Sequence, residues 1–229
     1  MSTAFPTNQL GDSPENQLNV TVVGAGIVGS AIAYTLAKRG ASVILIDKGR
    51  PGGGATSHSF DWINATDNHP VSYHDFNRRS LSMWDQFARN LDVDVGLRWG
   101  GQMEWAATDE GANELKSRAA LLHSWGYPCQ VLNATQMATL EPSLTPRSVT
   151  TAIYSELDGM VEPTIASEAL ARAAAQHGAT VKLETEVTDI SMNSGSVTLV
   201  ASGKKLNSDV VVLALSLIHI SEPTRLGMI

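Results

Sequence analysis

The sequence has little of what builds disulfide-rich, zinc-centred or membrane-spanning proteins. Its 229 residues include a single cysteine, Cys129, which excludes an internal disulfide framework and a cysteine-rich zinc site. No apolar run approaches the roughly 20 residues that a membrane-spanning helix needs. The N-terminus also lacks the basic and apolar pattern of a secretory signal. We therefore expect no transmembrane segment and a cytoplasmic location.

Basic residues are also scarce. The chain has 16 Lys and Arg against 23 Asp and Glu, which gives a formal net charge of -7. An acidic chain without a basic cluster is poorly suited to neutralising a phosphate backbone, so we expect no nucleic-acid partner. His69, His74, His123 and His177 show no metal-ligand spacing. We expect surface or satisfied core histidines and no metal site.

The two ends of the sequence differ from its middle. Residues 1–18 are mostly polar and poor in apolar side chains, which predicts a disordered leader. The segment Leu215–Arg225 (LSLIHISEPTR) resembles the conceptual translation of a transposase adapter used in shotgun sequencing. We expect residues 215–229 to be a non-native tail and the chain to be a truncated fragment. The alternative is a natural strand that continues to a turn at Glu222–Pro223.

A nucleotide-binding pattern follows the leader. Asn19–Val23 is rich in β-branched residues, which is typical of a buried parallel strand. It runs into the sequence GAGIVG at 24–29, and an apolar helix is predicted from Ile27 to Arg39. Ser42–Ile46 predicts a second buried strand, which ends at Asp47, 18 residues after the last motif glycine. Together these features predict a dinucleotide-binding βαβ unit.

Each residue of the motif has a physical role. Gly24 permits the tight turn, Gly26 allows a pyrophosphate to approach the backbone, and Gly29 lets the helix pack closely. The helix N-terminus presents free N–H groups and a partial positive charge to the phosphates. Asp47 is suited to accept hydrogen bonds from ribose hydroxyl groups. NAD and FAD share this half of the site, so the motif leaves the choice between them open.

The residues beyond Asp47 favour the flavin. In a nicotinamide dehydrogenase the chain would normally enter another crossover helix, whereas residues 48–65 read KGRPGGGATSHSFDWINA. This stretch, with GAGIVG before it, resembles the D-amino-acid oxidase (DAO) family of FAD-dependent oxidoreductases. The resemblance extends over Val20–Ala214 and includes Glu156–Pro163. It implies an α/β fold: a Rossmann-like FAD-binding domain with a glutathione-reductase-like βαβ unit, joined to the start of an α+β substrate domain.

The resemblance also implies which residues hold FAD. Gly24, Gly26, Ile27 and Gly29 would bind the pyrophosphate, and Asp47 would bind the adenosine ribose with Lys48 beside it. Ala55, Thr56 and Ser57 would line the diphosphate and the ribityl chain. Ser59 and Trp62 would lie along the flavin ring, and the backbone near Val187 would contact the adenine.

His58 is a separate candidate. It falls where sarcosine and dimethylglycine dehydrogenases carry a histidine that is joined covalently to the flavin. A neutral imidazole nitrogen is a competent nucleophile, but the residues that flank that histidine in those enzymes are absent here. We therefore expect His58 to be an uncharged contact or to face solvent, with covalent attachment as the alternative.

The rest of the chain predicts the second domain. We expect the FAD-binding domain at 19–80 and 150–214, and part of a substrate-binding domain at 81–149. Apolar residues at helical spacing predict an amphipathic helix over Asp75–Leu91 with a core-facing stripe. Leu97–Trp105 predicts a hairpin around Gly100–Gly101, and Asp209–Ala214 predicts a buried strand. The helical spacing of Ala112, Leu115, Ala119 and Leu122 predicts a helix that ends near Gly126, and Asn133 is predicted to cap a short helix that leads to Leu140.

The resemblance implies oxidation of a C–N bond in an amine or amino acid of the D-amino acid, glycine or sarcosine class. Its partners would be that small-molecule substrate and an electron acceptor, oxygen or a quinone, between which the residues do not decide. We name no catalytic residue, and we expect the 229-residue chain to bind FAD weakly without turnover. The alternatives are a nicotinamide-dependent dehydrogenase and a non-catalytic nucleotide-binding domain.

Overall fold

The computed structural model describes residues 17–66, 70–193 and 195–215. The predicted tail from 216 onward and the leader up to residue 16 lie outside the described residues. Two compact units are present, and the second comprises Asp61–Asn90 and Gly96–Val161. The boundaries between the units lie at 60/61, 90/91, 95/96 and 161/162, whereas the sequence predicts domain boundaries at 80/81 and 149/150. The assignment of the two units to cofactor and substrate stays a prediction.

Helices and strands alternate along much of the chain. The helices are α1 (Ile27–Lys38), α2 (Val71–Arg89), α3 (Asp109–Ser124), α4 (Ala134–Leu140) and α5 (Pro163–Gln176), with a short 3₁₀ helix at Ala55–His58. The strands are β1 (Asn19–Val23), β2 (Ser42–Ile46), β3 (Trp62–Ile63), β4 (Gln102–Ala106), β5 (Gln130–Leu132), β6 (Thr151–Ser155), β7 (Gly159–Met160), β8 (Thr180–Lys182), β9 (Val187–Asn193), β10 (Ser196–Ala201), β11 (Lys204–Ser208) and β12 (Val210–Leu213). None of the described helices is both long and apolar enough to cross a membrane.

The first unit is built on a parallel sheet with the strand order β12-β1-β2-β8. Val22, Leu45 and Ile46 on the two central strands are fully buried, as expected for parallel strands covered on both faces. Helix α1 packs against α5, and most buried residues of α5 are small, including Ala166 and Ala169. A separate antiparallel sheet in the same unit has the order β11-β10-β9.

Strand β12 was predicted correctly as a strand but wrongly as a buried one. Within the described residues it pairs only with β1, in parallel, and therefore lies at an edge of the sheet. Val210 is 40% exposed and Leu213 is 43% exposed. A run of β-branched residues indicates a strand, but it does not show how many neighbours that strand has.

The second unit contains the antiparallel sheet β4-β6-β5 and the short ribbon β3-β7. Helix α3 packs on β6 with its apolar face, which confirms the predicted stripe of Ala112, Leu115, Ala119 and Leu122. These side chains are buried around Tyr127 and Cys129. Helix α4 begins at a capping box, in which Asn133 and Gln136 satisfy each other's backbone N–H groups. That cap was also predicted.

Two predictions for this unit are wrong. Leu97–Trp105 does not form a hairpin, because β4 pairs with β6 and Arg98 pairs instead with Met160. Helix α2 begins at Val71, earlier than predicted, and its apolar stripe faces a core only in part: Leu91 beyond its end is buried, and Trp84 and Phe87 are half-buried. Phe76 is 65% exposed and Met83 is 47% exposed, whereas the only buried residue of the helix is His74. Helical periodicity identifies a face but not what covers it.

Candidate cofactor-binding site

The turn between β1 and α1 requires glycine at two positions. Gly24 has a φ of +108°, and a Cβ there would lie 2.3 Å from the carbonyl oxygen of Ala214. A Cβ at Gly29 would lie 1.8 Å from the carbonyl oxygen of Gly24. The N–H of Gly24 donates to the carbonyl of Ile46 at 2.7 Å, which ties the turn to β2. The first turn of α1 is therefore held tightly against the ends of β1, β2 and β12.

The N-terminus of α1 faces the 3₁₀ helix. Gly26 precedes α1 in an extended conformation and makes no side-chain cap, so another group must satisfy the first N–H groups. The hydroxyl oxygen of Thr56 accepts from the N–H of Ile27 at 3.1 Å. A Cβ at Gly26 would lie 2.9 Å from that same oxygen. The space above the helix N-terminus is therefore narrow, polar and suited to an anion.

The carboxylate of Asp47 is fixed at the end of β2. One oxygen accepts from the N–H of Ala25 at 2.7 Å and the other from the N–H of Gly49 at 2.7 Å. Each carboxylate oxygen retains lone pairs for a further donor, so the predicted contact with ribose hydroxyl groups is compatible with this arrangement. Asp47 has a second role, which the sequence motif did not reveal: it holds the glycine turn to β2.

The loop after Asp47 is tied to the same turn. The N–H of Gly52 donates to the carbonyl of Ala25 at 2.9 Å. Gly52 has a φ of +69°, and a Cβ there would lie 3.0 Å from the Cα of Thr164 at the start of α5. Sequence reasoning missed this residue. The sequence signal for this residue is the run of three glycines at Gly52–Gly54. On the sequence alone, that run served only as a sign that no crossover helix follows β2.

The structure brings several of the predicted site residues together in the first unit. Gly24, Gly26, Ile27, Asp47 and Thr56 form one cluster, and Lys48, Ala55, Ser57, His58 and Ser59 are exposed nearby in sequence. Val187 begins β9, two residues after Thr185, whose N–H donates to the carbonyl of Asp47 at 2.9 Å. Trp62 belongs to the second unit and is 60% exposed.

The other histidines and the single cysteine differ in burial and in hydrogen bonding. His123 and His177 are exposed, and His69 lies outside the described residues. His74 is fully buried, its Nδ1 donates to the carbonyl of Ala65 at 2.8 Å, and its Nε2 has no partner in the part of the chain that is described. Burial raises the pKa of the Cys129 thiol, which disfavours the reactive thiolate.

This geometry agrees with the family to which the sequence belongs. The family model described as FAD dependent oxidoreductase (DAO) matches residues 19–218. The chain belongs to this family. The match includes the glycine turn, the loop at 48–65 and all strands of the parallel sheet, and it confirms the predicted resemblance and fold class. Because the family is FAD-dependent, it also decides against the nicotinamide alternative.

Proteins similar to this chain include enzymes and a regulatory protein. Glycine oxidase of Geobacillus kaustophilus is 30% identical over 205 residues, which are 87% of this chain and 54% of the relative. The mouse mitochondrial pyruvate dehydrogenase phosphatase regulatory subunit is 28% identical over 82% of this chain and 21% of its own. Human mitochondrial sarcosine dehydrogenase is 30% identical over 75% of this chain and 19% of its own.

The fold agrees with the sequence comparison. The crystal structure of glycine oxidase from Geobacillus kaustophilus aligns with a TM-score of 0.83 and 29% identity, covering 92% of this chain and 59% of that one. This chain therefore spans little more than half the length of the glycine oxidase that it matches.

Proposed function

We propose that the chain binds FAD at the cluster around the N-terminus of α1 and takes part in oxidising a C–N bond of a small amine or amino acid. The observation that carries the first part is the narrow polar space between Gly26 and Thr56. A side chain at Gly26 would fill it, whereas a pyrophosphate oxygen would find N–H and hydroxyl donors there.

Different residues of the cluster would bind different parts of the cofactor. The N–H groups at Gly26 and Ile27 would bind the pyrophosphate, and the Thr56 hydroxyl would donate to a phosphate oxygen after leaving Ile27. Asp47 would accept from the ribose while it keeps its bonds to Ala25 and Gly49. Residues 55–59 are exposed or half-buried, so they are accessible to the remainder of FAD. Bound FAD would supply a two-electron acceptor for hydride removed from the substrate.

The substrate class rests on the relatives. Glycine oxidase and sarcosine dehydrogenase are named for small amino acids, and we propose a substrate of that class. The electron acceptor, oxygen or a quinone, is left open by the residues. We also propose a cytoplasmic location without a nucleic-acid partner, because the chain is acidic and has one buried cysteine.

An absorbance spectrum tests the cofactor assignment. The purified protein, incubated with FAD and freed of excess, is expected to show a flavin band that acid precipitation releases into the supernatant. Gly26→Val should abolish the band. Gly100→Ala is the matched control, because a Cβ at Gly100 would meet no atom within 4 Å. A band that stays with the pellet would instead support covalent attachment at His58. A colourless wild-type protein would contradict the proposal.

A second candidate function is non-catalytic. One relative is named as a regulatory subunit, so a DAO-type unit also occurs in a protein that is not named as an enzyme. A protein that binds FAD, but whose flavin spectrum is neither bleached nor shifted by glycine, sarcosine or D-alanine under anaerobic conditions, would favour this function. Bleaching by any of the three would favour the oxidoreductase.

A further inference from the structure

The hydrogen-bond ladder between β2 and β8 contains one extra residue where it passes Asp47. The two strands are paired in parallel as far as Lys182, whose carbonyl accepts from the N–H of Asp47 at 3.0 Å. In a regular parallel ladder the next bond would run from the N–H of Glu184 to the carbonyl of Asp47. The N–H of Thr185 makes that bond instead, at 2.9 Å. Residues 183–185 therefore form a β-bulge in which Glu184 is the additional residue.

The bulge depends on a strained residue. Glu184 has a φ of +50°, in the left-handed region where a side chain is disfavoured and where glycine is the usual bulge residue. Hydrogen bonds hold it there: the N–H of Glu184 donates to the carbonyl of Gly49 at 3.4 Å, and the hydroxyl of Thr185 donates to the carbonyl of Leu183 at 2.9 Å. Strained backbone of this kind persists only where its surroundings impose it, and it is concentrated at functional sites.

The bulge is bonded to the residues that present the Asp47 carboxylate. Its two N–H groups donate to the backbone carbonyls of Asp47 and Gly49, and the N–H of Gly49 in turn donates to the Asp47 carboxylate at 2.7 Å. All of these residues belong to the first unit. The bulge therefore fixes the backbone around the predicted ribose acceptor.

The extra residue also decides which residue follows at the predicted adenine position. An insertion of one residue into a strand shifts the place of every later residue by one. Val187 begins β9 two residues after Thr185, which is bonded to Asp47. In a chain without the bulge, Glu184 would make that bond and Glu186 would take the place of Val187. The bulge thus brings an apolar residue, and not a second carboxylate, to the position predicted to contact the adenine.

We propose that Glu184 is a positioning residue for the adenosine end of the FAD site, because its left-handed backbone forms the bulge that sets the spacing between Asp47 and Val187. The presence of adenosine at this end rests on the proposed function, whereas the bulge rests on the hydrogen bonds and the backbone angle. Glu184 acts through its backbone conformation, so its carboxylate is not required.

The affinities of the full chain for FAD and for ADP test the proposal. Quenching of flavin fluorescence measures FAD binding, and displacement of FAD measures the binding of ADP, which has the adenosine diphosphate but no flavin. Glu184→Gly and Glu184→Val both remove the carboxylate, but glycine keeps the left-handed conformation and the β-branched valine resists it. We expect Glu184→Gly to retain the wild-type affinities. Glu184→Val should weaken FAD and ADP binding about tenfold each, because binding must then restore the strained bulge.

Gly40→Val is the matched control for backbone strain. Gly40 follows α1 at its C-terminal end, has a φ of +87°, and a Cβ there would meet no atom within 4 Å. Its replacement should therefore lower the midpoint of urea denaturation, as Glu184→Val does, and leave both affinities unchanged. A double variant tests the route of the effect. If Glu184 acts through Asp47, adding Glu184→Val to Asp47→Asn should weaken ADP binding by much less than about tenfold.

The contrary outcomes are distinct. Wild-type affinities in Glu184→Val would overturn the proposal and leave the cofactor site standing. Weakened FAD binding with unchanged ADP binding would overturn it by placing the effect at the flavin end. Equal weakening in Glu184→Gly would assign the effect to the carboxylate, and equal weakening in Gly40→Val would assign it to general destabilisation. A wild-type protein that binds neither FAD nor ADP would contradict the proposed function, and this inference with it.

Discussion

The hydroxyl oxygen of Thr56 accepts a hydrogen bond from the N–H of Ile27 at 3.1 Å. A residue of the loop after β2 thus caps the helix that follows β1, where the residue before that helix, Gly26, has no side chain to do so. In the absence of FAD this bond satisfies one of the N–H groups that every helix leaves open at its N-terminus.

We therefore expect Thr56→Val to lower the free energy of unfolding of the FAD-free protein by about 1 kcal/mol, the usual effect of losing a cap or a single hydrogen bond. Thr56→Ser keeps the hydroxyl and should behave like the wild type. Urea denaturation of the three proteins measures the difference. Equal destabilisation by the Ser and Val variants would show that the methyl group, and not the hydroxyl, matters.

Gly29 should reverse the usual rule for glycine in helices. Replacing a helical glycine by alanine normally stabilises a protein by up to about 1 kcal/mol. At Gly29, however, the added Cβ would lie 1.8 Å from the carbonyl oxygen of Gly24. We expect Gly29→Ala to destabilise the protein by about 2 kcal/mol or more through overpacking, together with loss of FAD binding. Thermal unfolding, with Gly100→Ala as the control, tests the sign of the change.

Asp47→Asn separates the two roles of that carboxylate. Asp47 accepts from two backbone N–H groups. The amide oxygen of an asparagine can accept from one of them, but its NH2 group is a donor and cannot accept from the other. Because hydrogen bonds to a charged acceptor contribute about 1.5–3 kcal/mol each, we expect a loss of about 2 kcal/mol even without FAD. Denaturation with and without FAD measures it. Asp189→Asn, at an exposed position on β9, should have no comparable effect.

The Tyr127–Asp158 contact predicts a dependence of stability on alkaline pH. Burial and the hydrogen bond to Asp158 raise the pKa of the Tyr127 phenol well above its ordinary value of 10. Above about pH 10 the unfolded chain releases this proton while the folded chain keeps it, so the free energy of unfolding should fall as pH rises. Below that pH the contribution is fully present. Tyr127→Phe should reduce this slope in denaturation curves measured between pH 9 and 11, and an unchanged slope would contradict the assignment.

Sequence patterns predicted those features that depend on neighbouring residues. The βαβ unit, the cap at Asn133 and the buried face of α3 each follow from residue types within a few positions of one another, so the helical or strand period reveals them. The cluster of Gly24, Gly26 and Asp47 was predictable for the same reason, because the motif that joins them is short.

Features that depend on distant residues were not predictable. Trp105 pairs with Ala152 on β6. The residues near Gly100–Gly101, where a hairpin was expected, give no sequence signal for that pairing. The exposed side of α2 carries the same apolar period that a buried side would carry. Asp158 lies in a segment that was noted only for its resemblance to the DAO family, and the three N–H and hydroxyl groups that donate to it lie far away in sequence. One sequence does not contain the signal that would pair them.

The pairing of β1 with β12 has a consequence for the order of folding. The N–H of Asn19 donates to the side chain of Asp209, 190 residues further along the chain, and the two strands are in register from Val20 to Val23. During synthesis, the glycine turn emerges long before β12 does. Contacts between such distant residues slow folding because the intervening loop must first be closed. All strands of the second unit are synthesised before β12. Its amides should therefore become protected on the ribosome before the parallel sheet is complete.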